Sequence, residues 1–208
     1  VYIREDEVKA YVKELARSYD TAYRKHAFTT AEGKDITIDS GFYGWRMNRS
    51  EETEELINLI KQGAVVEKEP VYIQTAASHG ERDYGDTYVE INLSKQHFYF
   101  WEKGNIIIES DFVSGNMVKG MATPGGIFPI TYKERNAVLK GTNYRTPVSY
   151  WMPFNGGIGM HDAPWRKQFG GTIYETNGSH GCINLPVDVA REIYEHVAAG
   201  MPVICYYE

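Results

Sequence analysis

The sequence has few cysteines, no cluster of positive charge and no apolar run long enough to span a membrane. Its 22 Lys and Arg residues are scattered and are outnumbered by 28 Asp and Glu, for a formal net charge of -6. Nucleic-acid-binding proteins carry clustered positive charge, so we exclude nucleic acid as a partner. Because residue 1 is Val rather than Met, we expect a processed form or an expressed fragment. Any export signal or membrane anchor would lie outside it.

Only two cysteines are present, so the chain can form at most one internal disulfide and has few thiolate ligands for a metal. A disulfide between Cys182 and Cys205 is one interpretation, since cysteines of exported proteins often pair. We favour two free thiols, because Cys205 lies in a strand-like apolar segment where a thiol behaves as a small hydrophobe. Side chains of metal-ligand type occur near Cys182, but no pair has a known metal-ligand spacing. We therefore predict no metal site.

Glycine and tyrosine, by contrast, are abundant, with 20 and 16 residues. Both favour turn-rich β structure over a helical bundle, because glycine suits tight turns and tyrosine suits strands. The hydrophobic and charged fractions, 42% and 24%, are ordinary for a soluble globular protein. A chain of 208 residues can bury one large core or two small ones.

The first third of the chain has the pattern of a small α+β accessory domain over 1–69. Apolar residues recur at helical spacing in two segments and alternate around a glycine turn in a third. The predicted elements are a helix over 5–18, a hairpin over 28–38, and a helix over 51–62 with Ser50 as N-cap and Gly63 at its end. Residues 70–86 are polar and punctuated by proline and glycine, which indicates a linker.

From residue 87 to 208 the pattern is that of strands around one helix. The first two strands, 87–93 and 96–101, are separated by a short turn. Further strands are predicted over 105–109, 111–114, 127–132, 147–152, 157–160 and 202–207. The helix has Pro186 at its first position and Gly200 at its end. We predict a mainly β catalytic domain of antiparallel, sandwich-like sheets with one main helix.

A glycine-flanked segment around Cys182 carries the chemistry. Only the thiolate attacks carbonyls well, and a free thiol has a pKa near about 8.5. A nearby imidazolium and the start of the following helix would lower the pKa of Cys182. Gly178 and Gly181 permit a tight turn, in which N–H groups near Gly181 and Cys182 would form an oxyanion hole. We predict a nucleophilic cysteine; the alternative is an inert buried thiol.

Two histidines are candidates for the general base. In an extended stretch His180 would point to the same face as Cys182. His161 comes from a separate strand-like segment, and a base has to lie across the nucleophile, so we favour His161. His180 then shapes the site, with core packing as the alternative. The tautomer of the base is fixed by a third group, either the Asp162 side chain or a backbone carbonyl.

Two separated motifs resemble the L,D-transpeptidase catalytic domain of bacterial cell-wall synthesis. The first is His161 followed, after a spacer, by Ser179-His180-Gly181-Cys182-Ile183-Asn184. The second is Ser114-Gly115-Asn116 with Thr123-Pro124-Gly125-Gly126-Ile127-Phe128, similar to a Thr-Pro-x-Gly-x-Phe stretch of that family. The resemblance covers 87–208. More weakly, Ser40-Gly41-Phe42-Tyr43-Gly44-Trp45 is similar to a domain that precedes the catalytic one in some Gram-positive members.

The resemblance implies a role for each residue of the site. Cys182 would be the acyl-accepting nucleophile and His161 the proton carrier, oriented by the backbone carbonyl of the residue that follows it. The residues that would line the site are Ser179, His180, Gly181 and Asn184. Trp165 would border the substrate groove. Tyr150 also flanks the site segments and is a second aromatic candidate for substrate contact, with core packing as the alternative.

The resemblance also implies a reaction and its partners. Cys182 would attack the carbonyl of the third residue of a peptidoglycan tetrapeptide stem, release D-Ala and form a thioester. A side-chain amine of an acceptor stem would open the thioester and give a 3→3 cross-link. No metal or organic cofactor is expected. Carbapenem β-lactams would acylate Cys182, and the protein would act outside the cytoplasm, at the cell wall.

Two other functions stay open at this point. An L,D-carboxypeptidase or cysteine peptidase of the same fold would pass the acyl group to water instead of an amine. A non-catalytic wall-binding protein would use residues 1–69 for recognition and would not need Cys182.

Overall fold

A computed structural model of the chain describes residues 3–141 and 144–208. The helices are α1 (Glu5–Tyr19), α2 (Arg49–Gln62), α3 (Ile173–Asn177) and α4 (Val187–His196). The strands are β1 (His26–Thr29), β2 (Asp35–Ile38), β3 (Arg46–Met47), β4 (Tyr72–Gln74), β5 (Tyr88–Asn92), β6 (His97–Glu102), β7 (Asn105–Asp111), β8 (Gly126–Pro129), β9 (Glu134–Lys140), β10 (Arg145–Asn155), β11 (Ile158–Asp162), β12 (Ile183–Leu185) and β13 (Pro202–Tyr206). Over the described ranges, no helix has both the length and the apolar character that crossing a bilayer requires.

Two sheets make up the larger part of the fold. A five-stranded sheet has the order β7-β6-β5-β13-β8, and a four-stranded sheet has the order β12-β11-β10-β9. Most neighbouring strands run antiparallel, which confirms the predicted mainly β class. Two pairings, β5 with β13 and β11 with β12, are parallel. The sequence pattern does not reveal them, because they join strands that are far apart along the chain.

The main core lies between these two sheets and beneath α4. Ile91 and Phe98 come from the five-stranded sheet, Met152 and Ile183 from the four-stranded sheet, and Ile193 from α4. All five are fully buried. Burying one side chain of this size contributes about 1.5–3 kcal/mol. The core therefore holds β11 and β12, which carry the site, in a fixed position.

The N-terminal helices form a small core of their own. α1 and α2 pack against each other around Val12, Ala16 and Met47. β3, which contains Met47, pairs with β4 beside them. This part is the α+β region that the sequence predicts.

The β1–β2 hairpin joins the N-terminal part to the five-stranded sheet. The ring of Phe28 contacts those of Tyr88 and Tyr206 with centroids 5.8 Å apart in each case. The N–H of Ala31 donates to Oε1 of Glu90 over 2.8 Å. Because Glu90 lies on β5 and is fully buried, this contact ties the hairpin to the interior of the sheet.

The start of α2 differs from the prediction. Asn48, not Ser50, is the N-cap, and its side chain accepts a hydrogen bond from the N–H of Glu51 over 3.2 Å. Asn and Ser are comparable caps, so composition alone does not separate two candidates so close together. The predicted end at Gly63 is confirmed, with φ +65° in the left-handed region that glycine favours.

The bounds of α4 also differ from the prediction. Pro186 is the N-cap rather than the first helical residue, and the helix ends at His196 instead of near Gly200. Val197 is the C-cap, is buried, and has an extended backbone. Burial of Val197 in the main core turns the chain towards β13 before Gly200 is reached.

Several elements were missed or placed differently. The segment 70–86 is not the unstructured linker that its composition predicts, because it contains β4 and a buried Tyr84. The predicted strand over 111–114 is instead the end of β7 followed by an isolated bridge between Val113 and Asn184. β9, α3 and β12 were not predicted. α3 and β12 are shorter than the windows over which periodicity is visible, and β9 begins with three polar residues and shows no alternation of apolar and polar residues.

Candidate active site

A tight turn presents Cys182 at the start of β12. Oγ of Ser179 donates to the carbonyl oxygen of Cys182 over 2.6 Å and accepts from the N–H of Gly181 over 3.0 Å. Gly181 has φ +118°, a conformation that side-chain-bearing residues rarely adopt. The turn is thus closed by its own serine, and one of the N–H groups predicted for the oxyanion hole, that of Gly181, is already occupied.

The segment 114–123 holds this turn through backbone and side-chain hydrogen bonds. The N–H of Ser179 donates to the carbonyl of Ser114, and the N–H of Asn116 donates to the carbonyl of Ser179, both over 2.9 Å. Oγ1 of Thr123 donates to the carbonyl of Gly181 over 2.7 Å. These contacts give a structural reason for the upstream motif at Ser114–Asn116 and Thr123, because its residues hold the backbone of the cysteine turn in place.

The strand register places His161 beside Cys182. β11 and β12 pair in parallel with His161 opposite Asn184. Cys182 lies two residues before Asn184, so these three side chains point to one face of the sheet. His161 and Cys182 are therefore diagonal neighbours across the two strands.

The imidazole of His161 is fixed by backbone. Its Nδ1 lies 2.8 Å from the carbonyl oxygen of Asp162, which can only accept, so Nδ1 carries the proton and donates. Nε2 is left with a free lone pair. The Asp162 carboxylate is engaged elsewhere: Oδ1 accepts the N–H groups of Ser149 and Tyr150 over 2.8 and 2.9 Å. The orienting group is thus the carbonyl of Asp162, and the side-chain alternative is wrong.

Burial makes both members of the pair neutral. Cys182 and His161 are only 8% and 4% exposed. Desolvation raises the pKa of Cys182 to about 11, although a hydrogen bond from the backbone of Gly159 opposes it. Desolvation lowers the pKa of His161 below its usual value. The predicted lowering of the thiol pKa by an imidazolium and the next helix is therefore wrong, because burial in apolar surroundings is the largest effect and the net shift is upward.

Both side chains open into one cavity of about 380 Å³. Its lining residues are Leu139, Tyr144, Thr146, His161, Trp165, Arg166, Gly178, Ser179, His180, Cys182 and Asn184. Most of the predicted site residues are therefore brought together. The cavity has room for a peptide segment next to the sulfur.

His180 and Trp165 lie at the mouth of this cavity, whereas Tyr150 does not. His180 is exposed, and its ring stacks on Tyr144 with centroids 4.6 Å apart. Trp165 is 51% exposed, with its ring 6.0 Å from that of His161. The ring of Tyr150 packs instead against Tyr194 of α4, at 5.4 Å. The core-packing alternative describes Tyr150 better than substrate contact does.

Sequence reasoning missed several members of the site. Arg166 lines the cavity beside Trp165, and its position next to a motif tryptophan was the available signal. Tyr144, Leu139 and Thr146 come from β9, β10 and the connection between them, and no motif marks them. Oδ1 of Asn184 is buried without a hydrogen-bond partner. An unpartnered oxygen in a cavity wall is a ready acceptor for a ligand N–H.

Metal and disulfide chemistry are absent from the described residues. Among them no group of three or more His, Cys, Asp or Glu is arranged to hold a metal ion. Cys182 and Cys205 are both free thiols, so the disulfide interpretation is wrong.

The family follows from a comparison with known proteins. A sequence profile described as the L,D-transpeptidase catalytic domain (YkuD) matches residues 86–205, more than half of the chain. The chain belongs to the L,D-transpeptidase family. A second profile, described as "Putative peptidoglycan binding domain", matches residues 1–66 of this L,D-transpeptidase.

Solved L,D-transpeptidase structures are similar over both parts of the chain. The crystal structure of a mutant Enterococcus faecium L,D-transpeptidase has a TM-score of 0.81 and 34% identity, covering 98% of this chain and 83% of that one. The catalytic domain of the E. faecium L,D-transpeptidase, solved by NMR, is 42% identical, with a TM-score of 0.54. It covers 58% of this chain and 97% of its own. The fold and the family thus agree with the resemblance seen in the motifs.

Curated relatives are similar over a shorter stretch. The Bacillus subtilis protein named "Putative L,D-transpeptidase YciB" is 29% identical over 118 residues, which are 53% of this chain and 60% of that protein. L,D-transpeptidase 2 of Mycobacterium tuberculosis is 27% identical over 89 residues, or 20% of its length. The chain therefore spans less than two thirds of these relatives.

Proposed function

We propose that the chain is a cysteine-dependent L,D-transpeptidase that cross-links peptidoglycan stem peptides through a thioester on Cys182. The observation that carries the proposal is the shared cavity of Cys182 and His161, with Nδ1 of the imidazole locked onto a backbone carbonyl. This geometry presents one basic nitrogen and one sulfur to the same substrate. Membership of the L,D-transpeptidase family supports the reaction class.

The first step forms the thioester. Because thiol and imidazole are both neutral at rest, Sγ of Cys182 gives its proton to Nε2 of His161 as the sulfur attacks the carbonyl of the third stem residue. The tetrahedral oxyanion accepts a hydrogen bond from the N–H of Cys182, which we assign because the N–H of Gly181 already bonds to Ser179. The C–N bond then breaks, and the imidazolium protonates the leaving nitrogen of D-Ala.

The second step transfers the acyl group. A side-chain amine of the acceptor stem attacks the thioester carbonyl while Nε2 of His161 takes its proton. The C–S bond breaks, the proton returns to the sulfur, and the 3→3 cross-linked product leaves. The side chains of Cys182 and His161 thus carry each proton transfer in both steps.

The relatives support acylation by β-lactams and action at the wall. The E. faecium catalytic domain has been solved acylated by ertapenem, a carbapenem, and a related structure is an avibactam carbamoyl enzyme. We propose that carbapenems acylate Cys182 in the same way. The profile match over residues 1–66 supports binding to peptidoglycan and therefore placement outside the cytoplasm, at the wall.

The test combines a substrate and an inhibitor. Incubation with a tetrapeptide stem alone, followed by mass analysis, should give cross-linked dimer together with free D-Ala. Tripeptide without dimer would instead show that water is the acceptor, as in a carboxypeptidase. Cys182→Ala should give neither product nor a carbapenem adduct; retained cross-linking by this variant would overturn the proposal.

A further inference from the structure

Arg166 is a cation in the wall of the catalytic cavity without an acid partner. Its side chain lines that cavity and also a neighbouring one of about 530 Å³, and Trp165 belongs to both. Nε of Arg166 is buried and has no hydrogen-bond acceptor. Among the ion pairs of the described residues, none includes Arg166. A buried Nε–H without an acceptor costs free energy until an acceptor such as a carboxylate binds it.

The loop that carries Arg166 is held at both ends. The N–H of Ala163 donates to the carbonyl of Leu185 on β12 over 2.9 Å, and the N–H of Arg166 donates to the carbonyl of Ala163 over 3.0 Å. Further along, the N–H of Gly170 donates to the carbonyl of Phe112 over 2.9 Å. The guanidinium is thus presented from an anchored turn next to the strand of the nucleophile.

Arg166 also lies within electrostatic reach of the proton carrier. Burial is the main cause of the lowered pKa of His161, and the charge of Arg166 lowers that pKa further. Of the described side chains lining the catalytic cavity, Arg166 alone carries a permanent positive charge. An anionic part of a substrate that reaches His161 therefore meets one fixed cation.

We propose that Arg166 forms a carboxylate subsite that binds the C-terminal carboxylate of the departing D-Ala. The inference rests on the proposed function and names the feature by which the donor stem is selected. In a tetrapeptide donor the leaving nitrogen and the free carboxylate are attached to the same carbon. Because His161 and Arg166 line the same cavity, a donor whose leaving nitrogen reaches His161 brings this carboxylate into the cavity that Arg166 lines. The planar guanidinium fork suits a carboxylate.

This subsite gives a structural reason for selecting a stem that ends at its fourth residue. A stem one residue longer carries its carboxylate farther from His161 and leaves Arg166 facing an uncharged amide. The buried Nε of Arg166 is then left without an acceptor, so binding and acylation of the longer stem are weaker.

The test compares tetrapeptide donors that differ only in one carboxyl group. The wild-type chain is assayed for release of the fourth stem residue from three donors: the free acid, the C-terminal carboxamide and, where residue 3 is a diamino diacid, its side-chain amide. The leaving amine is D-Ala with the first and third donors and D-alaninamide with the second. Loss of a hydrogen bond to a charged group predicts a drop in kcat/KM of about 10- to 100-fold for the C-terminal carboxamide. If the drop follows the side-chain amide instead, the subsite holds the carboxylate of residue 3. Equal rates with all three donors would overturn the subsite.

Variants then assign the effect to Arg166. Arg166→Gln should lose about 10- to 100-fold on the free acid and little on the carboxamide, because the two changes remove the same contact. Arg166→Lys should recover part of the rate on the free acid. Arg191→Gln is the matched control, since Arg191 is exposed on α4 and does not line either cavity. Equal losses by Arg166→Gln on both donors would contradict the assignment.

The substrate series needs no variant, so it remains decisive if Arg166→Gln does not fold. A wild-type chain that releases the fourth residue equally fast from the free acid and from the C-terminal carboxamide disproves the subsite and leaves the proposed function intact. A wild-type chain that releases no D-Ala from any donor disproves the proposed function, and the subsite with it.

Discussion

The two cysteines stand in similar surroundings and differ in what they can do. Both are buried, and desolvation raises the pKa of both thiols. Cys205 lies in the middle of β13 within the main core, with strands paired on either side. Cys182 lies at a glycine turn that opens into a cavity shared with His161. Because neither thiol has a lowered pKa, we expect any difference in reactivity to come from access to the cavity and from the nearby imidazole of His161.

The largest expected difference between the two cysteines is in covalent labelling. Cys182→Ala should abolish the carbapenem adduct, because the attacking sulfur is gone. Cys205→Ala should keep a stoichiometric adduct, since that thiol has no route to solvent. Intact mass after carbapenem exposure measures both variants. An adduct retained on Cys182→Ala would show that Cys182 is not the residue that carbapenems acylate.

The next effect concerns His161, the proposed general base beside Cys182. His161→Ala should slow acylation of Cys182 by about 10²- to 10⁴-fold, the usual contribution of a positioned general base. His180→Ala, which removes an exposed ring stacked on Tyr144, is the comparison variant and should cost less. Stopped-flow acylation rates separate the two. Near-normal rates for His161→Ala would move the base role to His180.

The pH profile tests whether the resting pair is neutral. The pKa of His161 is lowered, so acylation should fall only when pH drops below the ordinary imidazole value of about 6.5, as the base becomes protonated. The pKa of Cys182 is about 11, so the rate should be level from neutral pH into the alkaline range. A rise in the acylation rate centred at about pH 8.5 would instead indicate a solvent-exposed thiol that titrates to its thiolate. Rates of single-turnover acylation at fixed ionic strength give the profile.

The smallest effect on activity is expected at Cys205. Cys205→Ser places a hydroxyl in an apolar core and should lower the free energy of unfolding by about 1–3 kcal/mol. Acylation of Cys182 below the unfolding midpoint should not change. Urea denaturation followed by labelling of the folded fraction measures both quantities. A large loss of acylation with unchanged stability would show coupling between β13 and the site.

The sequence predicts some features of the Cys182 site and misses others. Cys182, His161 and their motif were recognisable because their residue types and spacing can be read directly from the sequence. The lowered thiol pKa was predicted wrongly, because the apolar wall formed by Ala137, Val148 and Trp151 comes from strands remote in sequence. Likewise the orienting carbonyl of Asp162 could be chosen over its carboxylate only when Ser149 and Tyr150 were seen to bind that carboxylate.

For the fold, long periodic segments were predicted and short or remote pairings were not. α1 and α2 span several turns, so their apolar stripes are visible in the sequence. β12 has three residues, and its parallel register with β11 is a tertiary property. That register is what brings His161 and Cys182 together. The relative position of His161 and Cys182 therefore could not be predicted from local sequence patterns.

Glu90 has a consequence for anyone who shortens this chain. It is a carboxylate sealed inside a sheet, and three donors satisfy it: the N–H of Ala31, the indole of Trp101 and the hydroxyl of Tyr206. Deleting the N-terminal part removes the first of these and uncovers the aromatic faces that Phe28 shields. A chain without its N-terminal part would thus expose an apolar aromatic surface next to a carboxylate that has lost one of its three hydrogen-bond donors. Glu90→Gln, which removes the charge, is the compensating substitution to combine with this deletion.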